Sequence, residues 1–268
     1  MHRPEIMKRI GQDGFSWSKL VTVLAFAFLF LPLVVLVLYS FNESKTFRWT
    51  GFSLKWYEKL FTRSPDLWGA FGNSALVAFG SAAVATALGT LGAIGCARWK
   101  FKLRGYVTTT AFLPMVLPEI VMGVSLAVFF SSVGLPKSFW TVFAAHVCFE
   151  LPFAFMLVSS SMEDFDRSII EAAYDLGASE AQALFRVIIP CIAAGIASAF
   201  LTSVTLSLED FIITYFTSGP GFSTLPIVVN NTIRFGETPL INALSAIMIA
   251  GTVGIAVALR RFIKNLAA

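Results

Sequence analysis

From Leu20 to Leu38 the chain carries no charged residue, and comparable apolar stretches recur almost to its end. Such a run has no water to bond in a bilayer core, so its backbone N–H and C=O groups must pair internally, as helix. It is long enough for a hydrocarbon core of about 30 Å. It is too long for a signal-peptide core and lacks a small-residue cleavage site, so it reads as an uncleaved first span, kinked by Pro32. Only 13% of the residues are charged and the mean hydropathy is +0.76, whereas a soluble domain carries about 25% charged residues. The expectation is an all-α membrane protein.

Six transmembrane helices are predicted, near 20–38, 70–96, 108–131, 139–161, 192–217 and 241–259. They form a six-span domain over residues 20–260, between a polar basic segment (1–19) and a short tail (261–268). The second span is rich in small residues, among them Gly80, Ala83, Ala87, Gly89, Gly92 and Gly95. Small residues let helix backbones approach closely in lipid, which places this span inside the bundle. With both termini in the cytoplasm, 13 of the 20 Lys and Arg residues lie on the inner side, the arrangement that the positive-inside rule favours.

That orientation puts the longest acid-rich, helix-patterned segment between spans, Glu163 to Pro190 within a loop over 162–190, in the cytoplasm. Ser168 with Glu171, and Ser179 with Gln182, have the spacing of capping boxes opening two short helices. Gly177 is placed to close the first in a left-handed turn, and Pro190 sets the entry to the next span. Ala181, Leu184 and Phe185 then form an apolar ridge at i, i+3, i+4 spacing. The ridge either docks another protein or packs back on the chain's own spans.

These residues also carry a resemblance. Glu171-Ala172-Ala173, three residues, Gly177, nine residues and Val187-Ile188-Ile189-Pro190 resemble the EAA loop of ABC importer permeases, with Val187 and Ile189 as conservative departures. The resemblance implies the ABC importer permease fold, and it makes the loop a coupling element seated on a cytoplasmic ATPase. The outer loops resemble those of spermidine/putrescine permeases. The matching residues are Tyr39-Ser40-Phe41-Asn42, Trp49 through Tyr57, His146 with Phe149, Leu208 through Phe211, Gly219-Pro220-Gly221 and Thr224-Leu225-Pro226. Related permeases for opines and other small solutes share much of this framework.

The predicted spans contain Glu119, Glu150, Glu209 and Asp210 but no Lys or Arg. A charge at mid-membrane costs about 2.5–3.5 kcal/mol on insertion scales, so lipid-facing placement is disfavoured. With no basic partner in the spans, the acids must be protonated, hydrated, hydrogen-bonded, or paired with a cation brought from outside. Glu119 follows Pro118, with Pro114 one turn earlier, and helix broken at membrane depth lines a cavity. Of the adjacent pair Glu209 and Asp210, about 100° apart on a helix, one faces the pathway and the other a neighbouring helix or a polar partner. Tyr215 is either an interfacial belt residue or a ring face for an ammonium group beside Asp210. His146, one turn before Glu150, allows a local pair; a proton relay is the alternative.

The sequence has no GxxxxGK[ST] loop, so it binds no nucleotide through a P-loop. No zinc-ligand spacing or nucleophile elbow occurs. Cys96, Cys148 and Cys191 lie in or at the edge of spans, against a disulfide framework or metal site. The chain is therefore expected to be no enzyme and to bind no cofactor, with ATP and magnesium held by a separate ATPase. The resemblance implies a cytoplasmic ATPase dimer, a second homologous permease subunit and a periplasmic substrate-binding protein. Membrane lipid completes the surroundings, and nothing points to nucleic acid. The expected role is a polyamine permease of a bacterial inner membrane. The alternatives are another amine-bearing or opine-like solute, an ion-coupled carrier, or a membrane receptor or scaffold.

Overall fold

The computed structural model describes residues 17–46, 48–99, 101–163, 165–166 and 168–266. Most of the basic segment 1–19 lies outside the described residues, as do Asp164 and Arg167 of the loop over 162–190 and the last two residues of the tail. In chain order the helices are α1 (Trp17–Tyr39), α2 (Lys55–Thr62), α3 (Pro65–Arg98), α4 (Arg104–Val116), α5 (Glu119–Ser132) and α6 (Phe139–Glu163). They continue with α7 (Ser168–Asp175), α8 (Glu180–Ala183), α9 (Ile189–Cys191), α10 (Ala193–Glu209), α11 (Ile212–Thr217), α12 (Leu225–Arg234) and α13 (Thr238–Leu266).

Helices α1, α3 and α6 are each long and apolar enough to cross a membrane alone. Two bent pairs qualify as broken spans: α4 with α5, bent by 108°, and Glu180–Cys191 with α10, bent by 68°. The sixth expected span falls on α13, which is apolar over Thr238–Gly254. Pro32 lies inside α1 without ending it.

The chain falls into two compact units, one of residues up to Ser64 with those from Thr232, the other Pro65–Asn231. In the first, α1 and α2 both pack on α13. Its loop between α1 and α2 is built around buried Asn42. The Asn42 amide donates to the carbonyls of Thr46 and Arg48 at 3.2 and 3.0 Å and accepts from Thr50 N–H at 3.0 Å. The Trp56 indole donates to Asn42 C=O at 2.8 Å, and Phe41 stacks on Phe52 at 5.2 Å. Much of the loop signature read from the sequence is thus a folding device.

In the second unit α3 packs along α6, and α10 lies against both. The small-residue reading of α3 holds at Gly89, where a Cβ would stand 2.8 Å from Phe155 N and 2.9 Å from Ala154 Cβ. No side chain fits there unless α3 and α6 separate. The core cluster beneath the loop over 162–190 joins Ala93, Ile94, Phe155, Val158, Ile188 and Ile192 from α3, α6 and the entry to α10.

The fifth span was expected as one helix over 192–217. It is broken instead: α10 ends at Glu209, Asp210 is extended (φ −65°, ψ 123°), and α11 begins at Ile212. The cause is a set of hydrogen bonds to Asp210, described below.

Candidate functional site: a glycine-cornered elbow and two acid-bearing helix breaks

The loop folds as a two-helix elbow. Gly177 has φ +83°, a conformation that costs a side-chain-bearing residue about 1–2 kcal/mol. Ala178 N–H donates to Ala173 C=O at 3.0 Å and Gly177 N–H to Tyr174 C=O at 2.8 Å, the paired bonds that close a helix through a left-handed glycine. The predicted box opening α8 forms: Gln182 N–H donates to Ser179 Oγ at 3.3 Å and Ser179 N–H to Gln182 Oε1 at 2.9 Å. The opening of α7 differs from expectation. Ser168 is already the first helical residue, and its N–H donates to Asp166 Oδ1 at 2.9 Å. Backbone and hydroxyl donation from Ser168 hold the Asp166 carboxyl below its ordinary range.

After α8 the chain widens into one π-helical turn, Leu184–Ile188, in which Ile189 N–H bonds back to Leu184 C=O. Pro190 has no N–H for the regular ladder, and such a turn accommodates the missing donor. Packing splits the predicted ridge. Ala181 and Phe185 are exposed, but Leu184 is half-buried against the core cluster. Glu171, Ala172 and Pro190 are exposed, and Ala173 is half-buried. Leu176 is the most exposed large apolar residue of the elbow at 90%, with Phe185 at 66%. Sequence reasoning missed Leu176, although its place just before Gly177, at the tip of the corner, was a usable signal.

Glu119 is the first residue of α5, after extended Leu117 and Pro118, and is exposed. Glu209, the last residue of α10, is exposed as well. Helices α5 and α11 pack together, and a Cβ on Gly123 would lie 3.3 Å from Ile213 Cα. Glu119 stands four residues before Gly123, and Glu209 four residues before Ile213.

Asp210 is buried and committed to the protein. Its carboxylate accepts from Ile213 N–H at 3.1 Å, Thr214 N–H at 2.9 Å and Thr214 Oγ1 at 2.8 Å. These bonds cap α11 and break the span. His146 Nε2 lies 2.8 Å from Thr214 Oγ1 and 3.3 Å from Asp210 Oδ2, while its Nδ1 lies 2.6 Å from Ser207 Oγ. The local pair expected with Glu150 is a looser contact, 3.9 Å between Nδ1 and Oε1. Ser81 Oγ donates to Glu150 Oε1 at 2.7 Å, and Oε2 has no hydrogen-bond partner among the described residues. The network links α3, α6, α10 and α11. Tyr215 is exposed, its ring 5.5 Å from those of Phe211 and Phe216. Among the described residues no group of His, Cys, Asp and Glu is arranged to hold a metal ion.

Comparison with known proteins places this architecture. Residues 85–268 match the family model described as binding-protein-dependent transport system inner membrane component. The chain is 39% identical over 225 residues to the spermidine/putrescine transport system permease protein PotC of Haemophilus influenzae, covering 84% of this chain and 87% of the relative. It is 38% identical over 247 residues to the putrescine transport system permease protein PotI of Escherichia coli, covering 89% and 87%. Among solved structures, a bacterial ABC transporter involved in import of the acidic polysaccharide alginate superposes with TM-score 0.70 at 14% identity, over 94% of this chain and 99% of that one. The alginate transporter in complex with its pentasaccharide-bound periplasmic protein gives TM-score 0.65 at 18% identity, over 87% and 91%. The bent spans, the glycine-cornered elbow and these matches agree: the chain belongs to the inner-membrane permease family of binding-protein-dependent ABC transporters.

Proposed function

We propose that this permease subunit imports polyamines of the putrescine and spermidine type. It forms half of a translocation pathway with a second, homologous permease chain, and it takes its solute from a periplasmic binding protein. Both termini lie in the cytoplasm, and the elbow over 162–190 seats on a cytoplasmic ATPase that holds ATP and magnesium. Glu171, Ala172, Ala173, Gly177, Ala181, Phe185 and Pro190 form the docking elbow, with Leu176 added at its tip and Leu184 anchoring it from beneath. Family membership removes the ion-coupled carrier and scaffold readings.

The observation that carries the substrate class is the pair Glu119 and Glu209. Both are exposed at helix breaks, and the apolar segments around them, 108–131 and 192–217, hold no Lys or Arg. A carboxylate so placed lacks an internal counter-charge, and an ammonium group supplies one. The names of the PotC and PotI relatives point the same way. Asp210 supports the pathway indirectly, by holding the break beside Glu209, and Tyr215 presents an exposed ring close by. ATP closes the ATPase dimer and draws the two elbows together, opening the bundle outward to receive solute. Hydrolysis returns it to the inward-open form. Binding along the pathway stays weak, because tight neutralisation would trap the solute.

Reconstitution with the partner subunits tests the reading. Binding-protein-stimulated ATP hydrolysis and uptake should respond to putrescine or spermidine and not to an uncharged solute of similar length. Glu119→Gln should lower uptake while the ATPase still co-purifies. Normal amine uptake by Glu119→Gln would remove that carboxylate from the pathway.

A further inference from the structure

The elbow is covalently continuous with α6 and leads into α10, yet its polar tie runs to a third helix. Arg98 is the last residue of α3. Its Nη2 donates to the Tyr174 hydroxyl in α7 and lies 3.6 Å from Glu180 Oε1 in α8. One guanidinium therefore holds both helices flanking the Gly177 corner. The Arg98 side chain is only 14% exposed, and its guanidinium carbon lies 5.3 Å from the centre of the Trp99 ring. Its position is also electrostatically favoured, because a cation at the C-terminal end of a helix meets the negative end of the helix dipole.

Packing around the tie shows what it spans. A cleft of about 200 Å³ lies between the elbow and the bundle, lined in part by Arg98, Met162, Ile170, Glu171 and Tyr174. Apolar contact is incomplete there, and Arg98 reaches from α3 to α7 beside the cleft. Helix α3 in turn packs along α6 and α10, so force applied to α3 reaches the centre of this unit.

We infer that Arg98 is the positioning residue that carries displacement of the elbow into α3, coupling the ATPase cycle to movement of the bundle. The inference rests on the elbow being the ATPase-docking lever. Arginine suits the task because its fork presents several donors to two acceptors at once, where lysine offers a compact point charge. Without the tie, the elbow rolls over the cleft and part of the stroke is lost.

The test uses the full transporter in proteoliposomes, reading solute moved per ATP hydrolysed with putrescine-loaded binding protein. Arg98→Ala should retain the ATPase on purification yet lower that ratio by about fivefold or more, the low end of coupling between distant sites. Arg98→Lys should recover part of the loss, and Tyr174→Phe, which removes only the hydroxyl, should reproduce a fraction of it. Exchanging the charges, Arg98→Glu with Glu180→Arg, should restore coupling above Arg98→Glu alone. An unchanged ratio in Arg98→Ala overturns the inference. So does loss of the ATPase from that variant, which would assign Arg98 to docking. Failure of a cysteine at Leu176 to cross-link to the ATPase in the otherwise native complex would remove the lever itself, a result distinct from either.

Discussion

Glu209 and Asp210 are neighbours with opposite surroundings, so removing each charge should produce opposite phenotypes. Asp210→Ala deletes the acceptor of Ile213 N–H, Thr214 N–H and Thr214 Oγ1, and leaves His146 facing a gap. Losing an N-terminal cap costs about 1 kcal/mol, and each buried donor left unmade adds about 1–3 kcal/mol. The Thr214 hydroxyl can still turn toward His146, so the total is about 2–4 kcal/mol. Asp210→Asn keeps one carbonyl oxygen but turns an amide N–H₂ toward donors, for about half that loss. Glu209 is exposed, and Glu209→Gln should shift stability by no more than about 0.5 kcal/mol. Thermal unfolding of the purified subunit in detergent should therefore rank Asp210→Ala below Asp210→Asn, with Glu209→Gln level with the native chain. Putrescine uptake should fall in Glu209→Gln through a higher KM. Asp210→Asn should lose activity only as far as it loses folded protein. If Asp210→Asn is fully stable yet inactive, Asp210 rather than Glu209 meets the solute, and the assignment made from burial is wrong.

At Gly177 an added Cβ would meet nothing within 4 Å, so Gly177→Ala should lose only the backbone term of about 1–2 kcal/mol. Gly177→Leu should insert normally but release the ATPase, which co-purification reads directly. Gly89→Ala must push α3 from α6 and should destabilise by about 1–3 kcal/mol. Gly69→Ala, in the same helix with open space around it, should be neutral or stabilising in the same thermal assay. Lys59 donates to Glu237 at 2.6 Å and Lys45 at 3.2 Å, and these bonds and charges hold the carboxyl below its ordinary range. A depressed value means the tie contributes above the unfolded carboxyl's pKa and is lost as pH falls through the folded one. Hydrogen exchange in the α1–α2 loop should therefore lose protection on acidification below about pH 4, whereas Glu237→Gln should lack that protection at neutral pH and show no such step.

Local chemistry made much of this legible. Charge-free apolar runs announce the bilayer, because no other solvent accepts them. Gly177 and the Ser179–Gln182 box act through bonds within six residues of one another, so spacing alone revealed the corner and the start of α8. The break at Asp210 was hidden, since Leu208 to Phe211 contains neither Gly nor Pro and continues the helical run. Asp210 with two backbone donors three and four residues on is a capping pattern, but only buried His146 and Ser207 make it prevail over helix continuation. Leu184 turned inward because it packs on the core cluster of α3 and α6, elements distant along the chain that local spacing cannot show. Asp166 displaced Ser168 as the cap of α7, a competition between neighbouring oxygens that spacing cannot rank. Arg98 entered the sequence reading only as one of the inner-side charges, because its partners lie in elements distant along the chain.

The two broken spans also explain how carboxylates persist in apolar segments that hold no Lys or Arg. A continuous helix would leave Glu119 in mid-span, facing paired backbone and surrounding hydrocarbon. Breaking the span at Leu117–Pro118 makes Glu119 the first residue of α5, where free N–H groups and the positive end of the dipole favour a negative charge. At the other break Asp210 takes the cap of α11 and the His146 contact, which leaves Glu209 with no structural duty to perform. The arrangement thus spends one acid to expose its neighbour. Joining α4 to α5 as a straight helix, by Pro114→Ala with Pro118→Ala, should on this argument reduce amine uptake more than Glu119→Gln does, since it removes both the charge's position and the local field that sustains it.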